Sequence, residues 1–176
     1  NTLTGVIPVL TRRDRPTFVA LLRLWSVVLL ANLIGAGLFA LLAASAPIFE
    51  PNLHEDFLAI GRAAAEGGFV VLLVKAVLAG WLIALMVWLL PGAGSASLIV
   101  ILLITYIVAL GGFSHVIAGS IDVLYLMLSG DKSFLSYLID FLVPVLIGNI
   151  VGGSALVAML NHAQVHGEVP SGAREE

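Results

Sequence analysis

One histidine sits where chemistry is possible. His115 follows Gly111, Gly112, Phe113 and Ser114, and this glycine-rich run divides two apolar stretches, Leu98–Leu110 and Val116–Leu128. A side chain at the start of a helix has free backbone N–H donors beside it and about half a positive charge. An imidazole there can donate to an anion. It can also lend the anion a proton, so that a neutral acid rather than a bare charge crosses apolar surroundings. A buried histidine bonded to a carbonyl would account for the same residue with no ligand at all. Lys75 is the second such residue, the only charge in its apolar run. Ionisable groups inside a membrane face the bundle interior or water. Lys75 therefore either lines a vestibule and attracts anions or extends its stem to reach a headgroup. Asp122 lies seven residues after His115, about two helical turns, near the same face. It either pairs with a cation such as Lys75 or marks the outer water boundary.

No enzymatic arrangement accompanies these residues. His54, His162 and His166 are scattered in polar segments. His162 and His166 have the i, i+4 spacing of two metal ligands, but no third ligand is evident. Gly111–Gly112 is followed by no Gly-Lys-Ser/Thr of a phosphate loop. No catalytic residue, metal or cofactor is expected, and cysteine is absent, which excludes disulfides.

The elements that must position these residues follow from composition. Of the 176 residues, 60% are hydrophobic and 11% charged. A soluble domain carries roughly 25% charged residues, so much of this surface must face lipid. The net charge of −3 offers no basic face for nucleic acid. A span needs about 20 apolar residues to cross a core about 30 Å thick. Three segments qualify: 17–44, 67–90 and 134–162, the last with Pro144 expected to kink it near its entry. Pro91–Ser95 reads as a tight turn. Segments 96–110 and 115–129 are each too short to span alone. They form either one helix with a glycine bend or a discontinuous helix, and the latter is the expectation here. Irregular backbone at membrane depth is tolerated only where it is buried or lines a cavity, and such breaks mark substrate paths in transporters.

The rest of the chain is connective. His54–Ala65 reads as a short interfacial helix, with Glu55, Asp56, Arg62 and Glu66 toward water. Residues 164–176 read as a solvent-exposed tail. Residues 1–163 form the membrane domain. Asn1 opens the chain without methionine, and Thr2–Leu10 is already apolar, so the sequence is expected to begin inside a longer protein. Arg12, Arg13 and Arg15 outnumber the basic residues of the opposing loops, which places that side and the C-terminus in the cytoplasm.

An internal repeat links two spans. Ala31-Asn32-Leu33-Ile34-Gly35-Ala36 matches Gly148-Asn149-Ile150-Val151-Gly152-Gly153 in pattern. Small residues allow helices to approach, and an amide in the membrane seeks a cross-helix hydrogen bond. Asn32, Gly35, Asn149, Gly152 and Gly153 are thus the candidate helix-packing residues. Three crossings separate the motifs, so the halves would have inverted topology, with 1–11 as the end of a broken helix.

The stretches Asn32-Leu33-Ile34-Gly35, Gly112-Phe113-Ser114-His115-Val116-Ile117-Ala118 and Val145 through Gly153 resemble the formate/nitrite transporter family in order and spacing across nearly the whole chain. The resemblance implies an all-α membrane protein with an aquaporin-like bundle, inverted repeats and a broken helix, here lacking the first span and most of the second. It implies a homopentamer in the cell (inner) membrane and passage of small monovalent anions. The family's central pore histidine falls on His115, and its hydrophobic constrictions fall on Val108 and Ile83. Two pore asparagines of the family are replaced by Gly80 and Gly119. The expected function is a channel or transporter for weak-acid anions such as formate or nitrite. The alternatives are a pore for small neutral molecules and a non-transporting membrane scaffold.

Overall fold

A computed structural model describes residues 2–45 and 49–167. Among them every regular element is helical. In order these are α1 (Thr2–Arg12), α2 (Arg15–Ser45), α3 (Pro51–Ala64), α4 (Gly68–Ala93), a 3₁₀ turn at Gly94–Ala96, α5 (Ser97–Leu110), α6 (Val116–Leu128), α7 (Phe134–Ser136), a π-helical stretch at Tyr137–Leu142, and α8 (Val143–Gly167). Arg15–Ser45, Gly68–Leu110 and Phe134–Leu156 are long and apolar enough to cross a membrane. The chain is a multi-pass, all-α membrane protein.

The turns are written in the local chemistry. Asp14 precedes α2, and its Oδ1 accepts the Thr17 N–H at 2.7 Å, capping an orphan donor of the first turn. That bond holds the Asp14 carboxyl below its usual range. Gly67 and Gly68 both have positive φ, and this pair turns the chain from α3 into α4. A straight helix through Gly68–Leu110 would be 43 residues and about 65 Å long, twice the bilayer core. The chain instead bends at Gly94–Ala96, and α5 packs back on α4. Helix α4 therefore ends three residues past Leu90, with Pro91 still inside it, and the turn begins at Gly94.

Pro144 lacks the N–H that would bond the carbonyl four residues back. The helix accommodates it with a wider turn, in which the Val143 N–H reaches the Leu138 carbonyl. Pro144 is fully buried where α8 enters the bundle. The last nine residues of the expected tail, 168–176, lie outside the described residues, and α8 runs through the first four, 164–167.

The core lies between α4 and α8 and around α6. Leu72 and Ala76 of α4, Val116 and Val123 of α6, and Phe141 and Val145 at the entry to α8 are buried together with Ala36 and Ala40 of α2. Helices α4 and α8 approach most closely, because glycines line their contact. A Cβ at Gly148 would lie 2.5 Å from the Leu73 carbonyl oxygen, and one at Gly152 would overlap the Val77 carbonyl. Gly148 and Gly152 form a small-xxx-small pair, which lets backbones meet in a membrane where burial from water drives nothing. By contrast α2 and α5 expose large apolar side chains along most of their length, among them Leu30, Ile34, Leu38, Leu102, Tyr106 and Leu110.

Candidate functional site: a helix break pinned by one asparagine

The site begins with how α5 stops. Gly112 takes a left-handed conformation, φ 57°, which costs a glycine little. Its N–H donates to the Ala109 carbonyl at 3.1 Å, and the Phe113 N–H donates to the Val108 carbonyl at 3.0 Å. This pair of bonds is the Schellman closure of a helix C-terminus. Helix α5 therefore ends as a finished helix and does not merely bend. Ser114 and His115 follow, and His115 is extended, φ −108° and ψ 130°. The chain then re-enters a helix, with the Gly119 N–H bonded to the His115 carbonyl at 2.9 Å. Helices α5 and α6 have 14 and 13 residues, about 20 Å each, and neither crosses a bilayer core alone.

Asn149 holds this break in place. It lies on α8 and is 8% exposed. Its Oδ1 accepts the Val116 N–H at 2.8 Å. Its Nδ2 donates to the Ala76 carbonyl of α4 at 2.8 Å and to the Ser114 carbonyl at 2.9 Å. One amide thus supplies the N-terminal cap that His115, as the residue preceding α6, does not. It also satisfies the irregular backbone at Ser114, which would otherwise be costly in apolar surroundings. A second set of bonds supports the first turns of α6. The Tyr137 hydroxyl donates to Ser120 Oγ at 2.9 Å, and Ser120 Oγ donates to the Val116 carbonyl at 2.5 Å. Ser120 and Tyr137 were not among the residues expected from sequence. The available signal was a phenol in apolar surroundings, which requires a polar partner.

The other expected residues are placed as follows. His115 is half-buried at the break, beside Phe113 and Ser114, which are also half-buried, and Gly111 and Gly112 are exposed. Val108 and Ile83 are half-buried on α5 and α4, two helices that pack together, and the Val108 carbonyl forms part of the closure before His115. Gly80 is where α4 meets α8: a Cβ there would lie 2.5 Å from the Asn149 carbonyl oxygen. Gly119 is covered by the Phe141 ring, 2.6 Å from where a Cβ would stand. At both positions an added side chain would meet neighbouring protein atoms. Lys75 is half-buried on α4, and Asp122 is half-buried on α6 with its carbonyl against Gly61 of α3. The two form no ion pair; among the described residues the ion pair is Arg62 with Asp131. Asn32 is exposed and its Nδ2 donates back to the Val28 carbonyl of its own helix at 2.7 Å, and nothing lies within 4 Å of a Cβ at Gly35. Gly153 is buried on α8 beside Gly152. Among the described residues no three His, Asp or Glu side chains converge as a metal site requires.

The sequence profile of the formate/nitrite transporter family matches residues 1–163, spanning all the membrane helices and the break. This chain belongs to the formate/nitrite transporter family. Similar proteins agree. The inner membrane protein YfdC of Escherichia coli is 36% identical over 176 residues, covering 100% of this chain and 57% of its own length. Two uncharacterized transporters of Bacillus subtilis, YrhG and YwcJ, are 28% and 29% identical over 81% and 79% of this chain. The alignments cover 54% and 56% of their own lengths, so the chain spans a little over half of these relatives. No solved structure gives a significant match.

Proposed function

We propose that the chain forms part of an inner-membrane channel or transporter for small monovalent weak-acid anions, with His115 at the point where the permeant ion is met. The observation that carries the reading is the finished end of α5 and the separate, Asn149-capped start of α6. Asn149 occupies the Val116 N–H, so the next donors of the first turn, on Ile117 and Ala118, remain for an anion beside the imidazole. His115 would donate to the anion or transfer a proton to it. The resulting neutral acid would pass apolar side chains such as Val108 and Ile83 without the penalty of a buried charge. Lys75 would raise the local anion concentration from α4. The family resemblance adds an aquaporin-like protomer, a homopentamer, and a cytoplasmic Arg12–Arg15 face with the C-terminus on the same side. The exposed apolar faces of α2 and α5 suit contact with lipid or neighbouring copies.

The test is flux of formate and nitrite into liposomes containing the assembled protein. Wild type is expected to conduct, with uptake rising as pH falls toward the range where a weak acid accepts a proton. His115→Ala is expected to lower flux about a hundredfold, the lower end of what one positioned proton-transfer group contributes. Equal flux in the two proteins would remove His115 from the mechanism. Osmotic swelling with no pH dependence and no charge movement would favour the neutral-solute pore.

A further inference from the structure

One end of the bundle lies opposite Arg12–Arg15, where α2 ends and α4 begins. There α3 lies across α6 and is fastened at three levels. His54 Nδ1 and the Tyr125 hydroxyl are 2.5 Å apart. Gly61 lets the α3 backbone approach the Asp122 carbonyl and Leu126. Arg62 donates through Nε at 3.0 Å and through a second nitrogen at 2.5 Å to the same Asp131 oxygen. Asp131 is presented by another Schellman closure, in which Gly130 has φ 88° and the Asp131 N–H bonds the Leu126 carbonyl. Beside this joint is a cavity of about 620 Å³, walled by Ala63 and Leu126 and bordered by Arg62, Glu66, Asp131 and Lys132.

We propose that this cavity binds the headgroup of a zwitterionic phospholipid carrying a primary ammonium, the phosphatidylethanolamine class. Position is the first reason. The cavity lies where α2, α4, α6 and the α7–α8 segment all begin or end, at the level a headgroup occupies, and α3 turns Leu58 inward and Glu55, Asp56 and Arg62 outward as an interfacial helix does. Charge is the second. Two cations and two carboxylates border one space and sum to zero. A purely anionic group would meet Glu66 and Asp131 as closely as it met Lys132 and Arg62. A zwitterion satisfies both signs: phosphate oxygens accept from Lys132 and Arg62, and the ammonium donates to Glu66. Lys132 and Glu66 are in no ion pair among the described residues, so neither bond requires breaking one. Alanine and leucine walls suit the glycerol and the first methylenes.

Native mass spectrometry of the full-length assembled protein, in detergent with equal amounts of phosphatidylethanolamine and phosphatidylglycerol of the same acyl chains, tests this. Phosphatidylethanolamine adducts are expected to be retained about threefold over phosphatidylglycerol, the size of one screened surface charge contact, because both lipids carry the phosphate and only phosphatidylethanolamine carries the ammonium that meets Glu66. Lys132→Ala with Glu66→Ala leaves the Arg62–Asp131 pair intact and is expected to abolish the preference. Lys132→Arg with Glu66→Asp keeps both charges and is expected to preserve it. Equal retention of the two lipids by wild type would overturn the site. So would an unchanged preference in the alanine pair, or a loss in the charge-keeping pair as well. Displacement of the lipid by soluble O-phosphoethanolamine at equal concentration would overturn the lipid assignment, because the acyl chains would then contribute nothing.

Discussion

The two matching stretches, Ala31–Ala36 on α2 and Gly148–Gly153 on α8, hold the same residue types in opposite circumstances. Asn149 is buried and joins three backbone groups on two other parts of the chain. Asn32 is exposed and bonds only within its own helix. Gly152 meets the backbone of Val77 and Trp81, whereas Gly35 meets nothing within 4 Å. The pattern of asparagine and small residues is therefore permissive. It becomes a packing site only where a neighbouring helix brings its backbone close and a helix start presents a donor without a partner. For α8 those are α4 and the Val116 N–H of α6.

The sharpest way to break this contrast is Asn149→Ala. Interhelical hydrogen bonds in membranes average about 0.6 kcal/mol each, so losing three predicts about 2 kcal/mol. Leaving the Val116 N–H and the Ser114 carbonyl without partners in apolar surroundings adds about 1–3 kcal/mol. The expected outcome is a large fall in the thermal midpoint of the purified protein, together with loss of flux. A variant as stable as wild type would mean that water or another group can cap α6, and that Asn149 does not hold the break.

Gly152→Ala paired with Gly35→Ala sharpens the same contrast with a smaller effect. The added methyl at 152 must push α8 away from the Val77 carbonyl, and overpacking of this kind costs about 1–3 kcal/mol. The same methyl at 35 enters open space and gains helix propensity, up to about 1 kcal/mol. Thermal midpoints should therefore move in opposite directions. Equal losses at the two sites would show that the α2 stretch is also in close contact within the assembled protein.

The physics also separates what can be read in the sequence from what cannot. The end of α5 is visible because Gly111–Gly112 interrupts an apolar run, and a left-handed glycine is the local device that closes a helix. The need of Asn149 for partners is visible, since an amide in a membrane must bond something. Their identities are not, because all three are backbone groups whose positions depend on how α4, α6 and α8 pack. The same limit applies to Gly80. Family pattern assigns it to a pore, yet which face of α4 it occupies is set by the close approach of α8. The widened turn before Pro144 is hidden for a different reason. Proline announces a disturbance, but a kink and a π turn are two answers to one missing N–H, and packing of Tyr137 and Phe141 in the core selects between them.

Asn32→Ala is the smallest of these changes and the most discriminating. The side chain it removes bonds the Val28 carbonyl, which already serves as an acceptor position within α2, and it stands at the surface. Such i to i−4 bonds offer a helix little, and alanine is the better helix former. The expected change is within about 0.5 kcal/mol of wild type, read from the same thermal melts. A loss as large as that of Asn149→Ala would reverse the contrast between the two stretches. It would mean that in the assembled protein Asn32 caps a helix start of its own, as Asn149 caps α6, and that the repeat is one of function as well as of sequence.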